Sequence, residues 1–185
     1  FKKIVKTSGF SKKNIDIKKI YLNEFIKKGF PNRKLENWKF SDISQIIKKN
    51  IGELDFYNDY SFPNKIDPSI FISGLEHNKI VFINGRIEKI EFNYEDENKI
   101  EILDEMELKD KPSFENSLID LNNAFTNKYY KIVVKEDYAL KKPLIIYHTT
   151  KESLHFKNIN LRLDFLLEKN SSLRLIDISN DLSEK

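Results

Sequence analysis

The chain has 185 residues, with 32 Lys and Arg against 29 Asp and Glu, a net charge of +3, 39% hydrophobic and 12% aromatic residues, and no Cys. That apolar content is ample for a packed core and fits one moderate domain or two small ones. The small net charge argues against a strongly basic nucleic-acid binder, and the lack of Cys excludes disulfides, thiolate metal sites and a Cys nucleophile.

No apolar run approaches the ~18 residues of a membrane span, and no signal-peptide core opens the chain, so a cytoplasmic protein without a membrane partner is expected. Charge is unevenly distributed. Residues 1–50 carry 14 basic against 4 acidic groups, residues 51–120 carry 7 against 17, and residues 121–185 carry 11 against 8. The basic segment is expected either to fold back on the acidic one or to present a solvated face. The chain begins with Phe1 rather than Met and ends in a polar stretch directly after a strand-like segment, so it is expected to be part of something longer.

In chain order, Ile17, Ile20, Tyr21, Phe25 and Ile26 predict an amphipathic helix over 14–28, with Asn14 or Asp16 as its N-cap. Gly29 closes it, and Phe30-Pro31 prevents its continuation. Trp38, the only Trp, then leads a second apolar stripe through Phe40, Ile43, Ile46, Ile47 and Ile51. This predicts a second helix ending near Gly52, with Trp38 as the buried anchor of a helix-turn-helix corner. Residues 54–75 read as an irregular connection with a short helix around 69–75.

The period then changes. Ile80-Val81-Phe82-Ile83 and Ile87-Glu88-Lys89-Ile90 flank Asn84-Gly85, the strongest short-range signal for a β-hairpin. Glu95-Asp96-Glu97 and the carboxylates of 101–107 follow as an acidic strand or linker; they lack the Gly and the ligand alternation of a calcium loop. Phe114, Leu118, Leu121 and Phe125 restore helical spacing over 113–126, with Ser113 as a cap. Beyond it, residues 132–140 align with 165–173 at a constant offset of 33, each copy an apolar triplet, a polar corner and a closing Leu. Repetition at a fixed period suits a β-solenoid, whose open end must be covered or continued.

Three runs carry a family resemblance. Gly29-Phe30-Pro31-Asn32-Arg33-Lys34-Leu35-Glu36-Asn37-Trp38-Lys39-Phe40-Ser41 resembles the N-terminal signature of the SufD family, approximately Gly-Leu-Pro-Thr-Arg-x-x-Glu-x-Trp-Lys-Tyr-Thr. Gly29, Pro31, Arg33, Glu36, Trp38 and Lys39 match, and Asn32 departs from the usual Thr. Val81-Phe82-Ile83-Asn84-Gly85 is similar to the family's Leu-Val-Phe-Val-Asn-Gly-x-Phe, and Leu121-Asn122-Asn123-Ala124-Phe125 resembles its Leu-Asn-x-Ala-Phe element. The three fall in the family's order, so the resemblance covers nearly the whole chain.

With that resemblance the expected fold class is α+β: an N-terminal helical region over 1–75, a β-hairpin and acidic connection over 76–111, and over 112–185 a helix and the first coils of a right-handed parallel β-helix, truncated. The resemblance implies a non-catalytic scaffold subunit for iron-sulfur cluster assembly, partnered by a SufB-like paralogue and a SufC-like ATPase. The cluster would be assembled by the full complex, with no cofactor bound by this fragment. A homodimer through the exposed β edge is a further expectation. The alternative from another class is a free-standing binding module whose basic helices over 2–49 hold an anionic partner such as RNA, although nucleic acid is not the favoured partner.

Residue chemistry names no site. His77, His148 and His155 lack the spacing of a helical metal pair. SufD proteins are thought to supply a cluster-proximal His from the far end of the β core, beyond this chain, so none of the three inherits that role. No Gly-rich phosphate loop and no nucleophile elbow occur, and only Arg162, Arg174, Asp164 and Asp177 could line a polysaccharide-cleaving groove. No catalytic, cofactor-binding or metal-ligating residue is expected.

Overall fold

The computed structural model describes residues 1–7, 9–50, 55–56, 66–105, 116–126, 128–150 and 157–181. In chain order its elements are α1 (Lys2–Thr7), α2 (Lys12–Lys28), α3 (Ile43–Asn50), β1 (Asp55–Phe56), β2 (Asn78–Ile83), β3 (Arg86–Glu91), β4 (Ile100–Glu105), α4 (Ser117–Phe125), β5 (Lys128–Val134), β6 (Leu144–Thr150), β7 (Lys157–Asn158), β8 (Leu161–Leu167) and β9 (Leu175–Asp181). The protein is α+β, as expected, and among the described residues no helix is long and apolar enough to cross a membrane. It divides into two units that interleave along the chain. One comprises Phe1–Asn58, Glu105–Tyr129 and His155–Arg162; the other comprises Asp59–Asp104, Tyr130–Leu154 and Leu163–Lys185.

The first unit is built on α2 and α4. The α2 helix starts two residues before the predicted span, because the Ser11 side chain accepts the Asn14 N–H (3.2 Å) and so takes the capping role assigned to Asn14 or Asp16. It ends where expected: Gly29 adopts φ +68° and its N–H closes on the Phe25 carbonyl at 2.7 Å. The buried stripe differs from the predicted one. Asn14, Lys18 and Tyr21 are buried, whereas Ile20 and Ile26 are exposed. The reason is Lys18, whose Nζ donates to the carbonyls of Asn123 (3.2 Å) and Thr126 and lies 4.7 Å from the centre of the Phe10 ring. Those carbonyls lie at the C-terminal end of α4, where unsatisfied acceptors and the helix dipole both favour a cation. Around this contact Tyr21, Leu121, Ala124, Phe125 and Tyr129 form a core, flanked by Phe1, Phe10, Ile17, Leu22, Phe25 and Phe30.

The predicted second helix is displaced. Glu36–Trp38 makes one 3-10 turn, and α3 starts only at Ile43, where the Asp42 carboxylate accepts the Gln45 N–H at 3.1 Å. A side chain able to cap locally ends the earlier turn and begins a new helix, which overrides the continuous apolar spacing. Trp38 is half-buried rather than a buried anchor, and Phe40 is 92% exposed. Similarly α4 begins at Ser117 with Asn116 as its cap, its side chain accepting the Leu118 N–H at 3.0 Å; the predicted cap Ser113 lies outside the described residues. The short helix expected around 69–75 is a 3-10 turn over Pro68–Ile70.

The short β1 and β7 pair in parallel within the first unit, and the two larger sheets are centred on the second. One has the strand order β3-β2-β6-β9 and the other β4-β5-β8. The predicted hairpin forms, with β2 antiparallel to β3 and both turn residues at positive φ, Asn84 at 49° and Gly85 at 81°. Next to the hairpin the sheet is parallel: Val81 lies opposite Tyr147, and Tyr147 opposite Ile178, as β2, β6 and β9 run side by side. Val81, Ile83, Ile145 and Tyr147 pack together beneath Ile66, Ile70, Phe71 and Ile178. On the opposite face Phe82 meets the Tyr130 ring at 5.6 Å. Both faces of β2 and β6 are covered, which accounts for their continuous apolar runs.

Replacing fully buried Leu144 with Ala is expected to cost about 2–5 kcal/mol, and replacing half-exposed Ile90 well under that, when both are measured by urea unfolding. Burial lowers the Lys18 pKa from its ordinary value to about 8. A lysine that loses its proton more readily when folded makes the protein more stable as pH rises from about 8 towards the unfolded value of about 10.4. Lys18→Met is expected to abolish that alkaline rise in the unfolding midpoint.

Candidate functional site: the repeated corner and the open sheet edges

The 33-residue repeat is a spatial one. Residues 134–140 and 167–172 lie against each other as equivalent corners: Glu168 N–H donates to Val134 O (3.0 Å), Asp137 N–H to Lys169 O (2.9 Å), Ser172 N–H to Tyr138 O (3.1 Å) and Leu140 N–H to Ser172 O (2.9 Å). Ala139 and Ser172 form a parallel bridge. Asp137 and Asn170, at the same place in each corner, both adopt left-handed conformations, φ 55° and 57°, which Asp and Asn tolerate better than other side chains with a Cβ. The Asn170 amide also donates to the Asp137 carboxylate at 2.8 Å. One Asx side chain stacked on another therefore holds the register of successive corners.

The first corner is clamped by Glu95. Its carboxylate accepts four hydrogen bonds, from Asn78 Nδ2 (2.6 Å), the Lys142 N–H (3.1 Å), the Tyr138 hydroxyl (2.7 Å) and the Lys141 N–H (3.0 Å). Burial pushes the Glu95 carboxyl up, but the donors together outweigh it and hold the group below its ordinary value. The neighbouring carboxylates act alike: Asp96 pairs with Lys141 at 2.5 Å, Glu76 with Lys142 at 2.6 Å and Glu101 with Lys135 at 2.8 Å. The acidic segment thus meets cations of the strand-rich segment that follows it. Among the described residues one cross-segment pair involves the basic helices, Lys28 with buried Asp120 at 2.7 Å in the first unit.

His77 lies in the connection before β2 and is buried. Its Nδ1 lies 2.6 Å from the Leu75 carbonyl and its Nε2 2.8 Å from the Tyr147 hydroxyl, which itself accepts the Ile72 N–H at 3.2 Å. A carbonyl only accepts, so Nδ1 carries the proton and Tyr147 donates to Nε2. Both ring nitrogens are engaged in anchoring the connection over 72–77. His148 lies within β6, stacks on Phe82 at 5.1 Å and approaches Asp177 at 3.3 Å. His155 lies outside the described residues. Of the groove candidates, Arg174 donates to the Lys141 carbonyl at 3.5 Å, Arg162 lies over the Tyr129 ring at 4.9 Å, and Asp177 meets His148.

The two borders of each sheet differ in chemistry. The outer strand β3 carries Arg86, Glu88, Lys89 and Glu91 beside Ile87 and Ile90, and β4 carries Glu101 and Asp104. Charge on an edge strand discourages another strand from pairing with it. The opposite borders are β9 and β8, where Leu175, Ile176, Leu166 and Leu167 are exposed. Among the described residues β8 and β9 thus expose more large apolar side chains than β3 and β4, where Ile90 is the exposed one.

Sequence reading missed Glu95, Lys18 and Tyr147 as organisers because each works through partners remote in the chain. Since the folded pKa of Glu95 is depressed, its contribution to stability is present above the unfolded value of about 4.3 and is lost as pH falls through the lower folded value. Glu95→Gln is expected to lower stability at neutral pH and to flatten the acid limb of a plot of unfolding midpoint against pH.

No protein-family model matches this sequence, and no curated protein matches it.

Proposed function

We propose that this chain is the opening part of a scaffold subunit similar to SufD, in which β5–β6 and β8–β9 are the first windings of a right-handed parallel β-helix. The observation that carries this reading is the pair of sheets: parallel register across β2, β6 and β9, a corner repeated once at a spacing of 33 residues, and exposed Leu and Ile on the border strands β8 and β9. Border strands that expose Leu and Ile favour continuation by further windings of the same kind. The three sequence runs that resemble the family supply the rest of the reading.

The subunit would be non-catalytic and cytoplasmic. A SufB-like paralogue would pair with it, a SufC-like ATPase would supply nucleotide hydrolysis, and the iron-sulfur cluster would be cargo assembled by the complex. The residues described above support that division of labour, since Glu95, His77 and the corner residues each serve to hold backbone in place. The chain co-expressed with a SufB-like and a SufC-like protein is expected to co-purify with both. Alone it is expected to hydrolyse no ATP and to retain no iron after incubation with iron and sulfide. Stoichiometric cluster absorbance on the isolated chain, or no complex on co-expression, would overturn the reading.

A further inference from the structure

We propose that residues 33–49 form a contact surface for an anionic lipid bilayer, with Phe40 and Ile46 entering the interface and the surrounding cations meeting the headgroups. The apolar groups here are left outside the core of their unit. Phe40 is 92% exposed, Leu35 49% and Ile46 47%, and the 3-10 turn over Glu36–Trp38 buries none of its residues. In α3, Ile43, Ile46 and Ile47 recur at i, i+3 and i+4, so they share one helix face, yet none of the three is buried. An amphipathic helix whose apolar face is only partly covered, with Ile46 exposed, can still take a partner.

The charge around these groups says which partner. Arg33, Lys34, Lys39, Lys48 and Lys49 stand against Glu36 and Asp42, and among the described residues none of the five cations makes an ion pair. Lys39 places its Nζ 5.8 Å from the centre of the Phe40 ring, which puts a headgroup-binding cation beside the most protruding apolar side chain. Exposed aromatic and aliphatic groups next to Lys and Arg are the composition of an interfacial segment, which gains from apolar insertion and from attraction to anionic lipid together. Single-stranded RNA would use the cations and the aromatic rings for stacking, but it has no use for Leu35, Ile43, Ile46 and Ile47. A protein partner would need a pocket shaped to Phe40, whereas a bilayer needs only depth and negative charge. A surface contact of this kind makes no demand for a spanning helix, and it does not depend on the scaffold reading.

The only Trp of the chain, Trp38, lies within the segment and reports on it directly. Adding the full chain to vesicles of phosphatidylglycerol and phosphatidylcholine in equal parts is expected to shift Trp38 emission to the blue and to carry the protein down with the vesicles. Phosphatidylcholine alone is expected to do neither, and ~1 M salt, where screening acts within about 3 Å, is expected to reverse the binding. Phe40→Ser and the double change Lys48→Glu with Lys49→Glu are each expected to weaken partitioning at least tenfold with an unchanged far-ultraviolet circular dichroism spectrum. The proposal is overturned if anionic vesicles leave Trp38 unchanged or if Phe40→Ser binds them as well as the parent chain. It is equally overturned if polyuridylate, or self-association detected by sedimentation, produces the shift and vesicles do not.

Discussion

Parallel pairing of β2, β6 and β9 is the constraint from which the strand-rich unit follows. Antiparallel strands can return through a two-residue turn, but parallel strands require the chain to leave the sheet and come back on the same side. Here it leaves through the second sheet: β5 precedes β6 and β8 precedes β9, each pair joined by a polar corner. The corners must then lie one above another. The stacked Asp137 and Asn170 side chains, both in the left-handed conformation, are the local means by which that is achieved.

A stack built this way has two unlike ends. At its start the Asn84-Gly85 hairpin folds β3 back antiparallel, so that the border strand is charged and turns the sheet aside from further pairing. Its other end shows outward-facing Leu and Ile on two sheets at once. The Glu95 carboxylate fastens the first corner to the loop that follows the hairpin, which ties the closed end to the first repeating element. Part of the acidic middle segment is thereby used inside the unit: Glu76, Glu95, Asp96 and Glu101 hold lysines and backbone amides that border β5 and β6.

The helical unit rests on a different kind of contact. Lys18 is buried without a carboxylate, and it is held by carbonyls at the end of α4 and by the Phe10 ring. Withdrawing an ammonium from water is costly, so the arrangement stands only because those acceptors are otherwise unsatisfied at a helix terminus. Its consequence is rotational. Turning Lys18 inward turns Ile20 and Ile26 outward, which is why the apolar residues of α2 do not all coincide with its buried face.

The amino-acid sequence by itself determined the features whose physics is local. The Asn84-Gly85 hairpin follows from two residues that accept positive φ, the end of α2 from Gly29, and the corner repeat from a spacing of 33 that appears in the fold as backbone hydrogen bonds. Tertiary structure alone decided the rest. Asn14 looked like a cap and is buried, Trp38 looked like an anchor and is half-exposed, His77 is enclosed between Leu75 and Tyr147, and Glu95 looked like one acid in a run. In each case the deciding partner is distant in the chain, or a nearer side chain competes for the same backbone group. A polar residue's fate depends on which acceptors and donors the fold leaves unsatisfied, and that is a property of the assembled backbone rather than of any window of sequence.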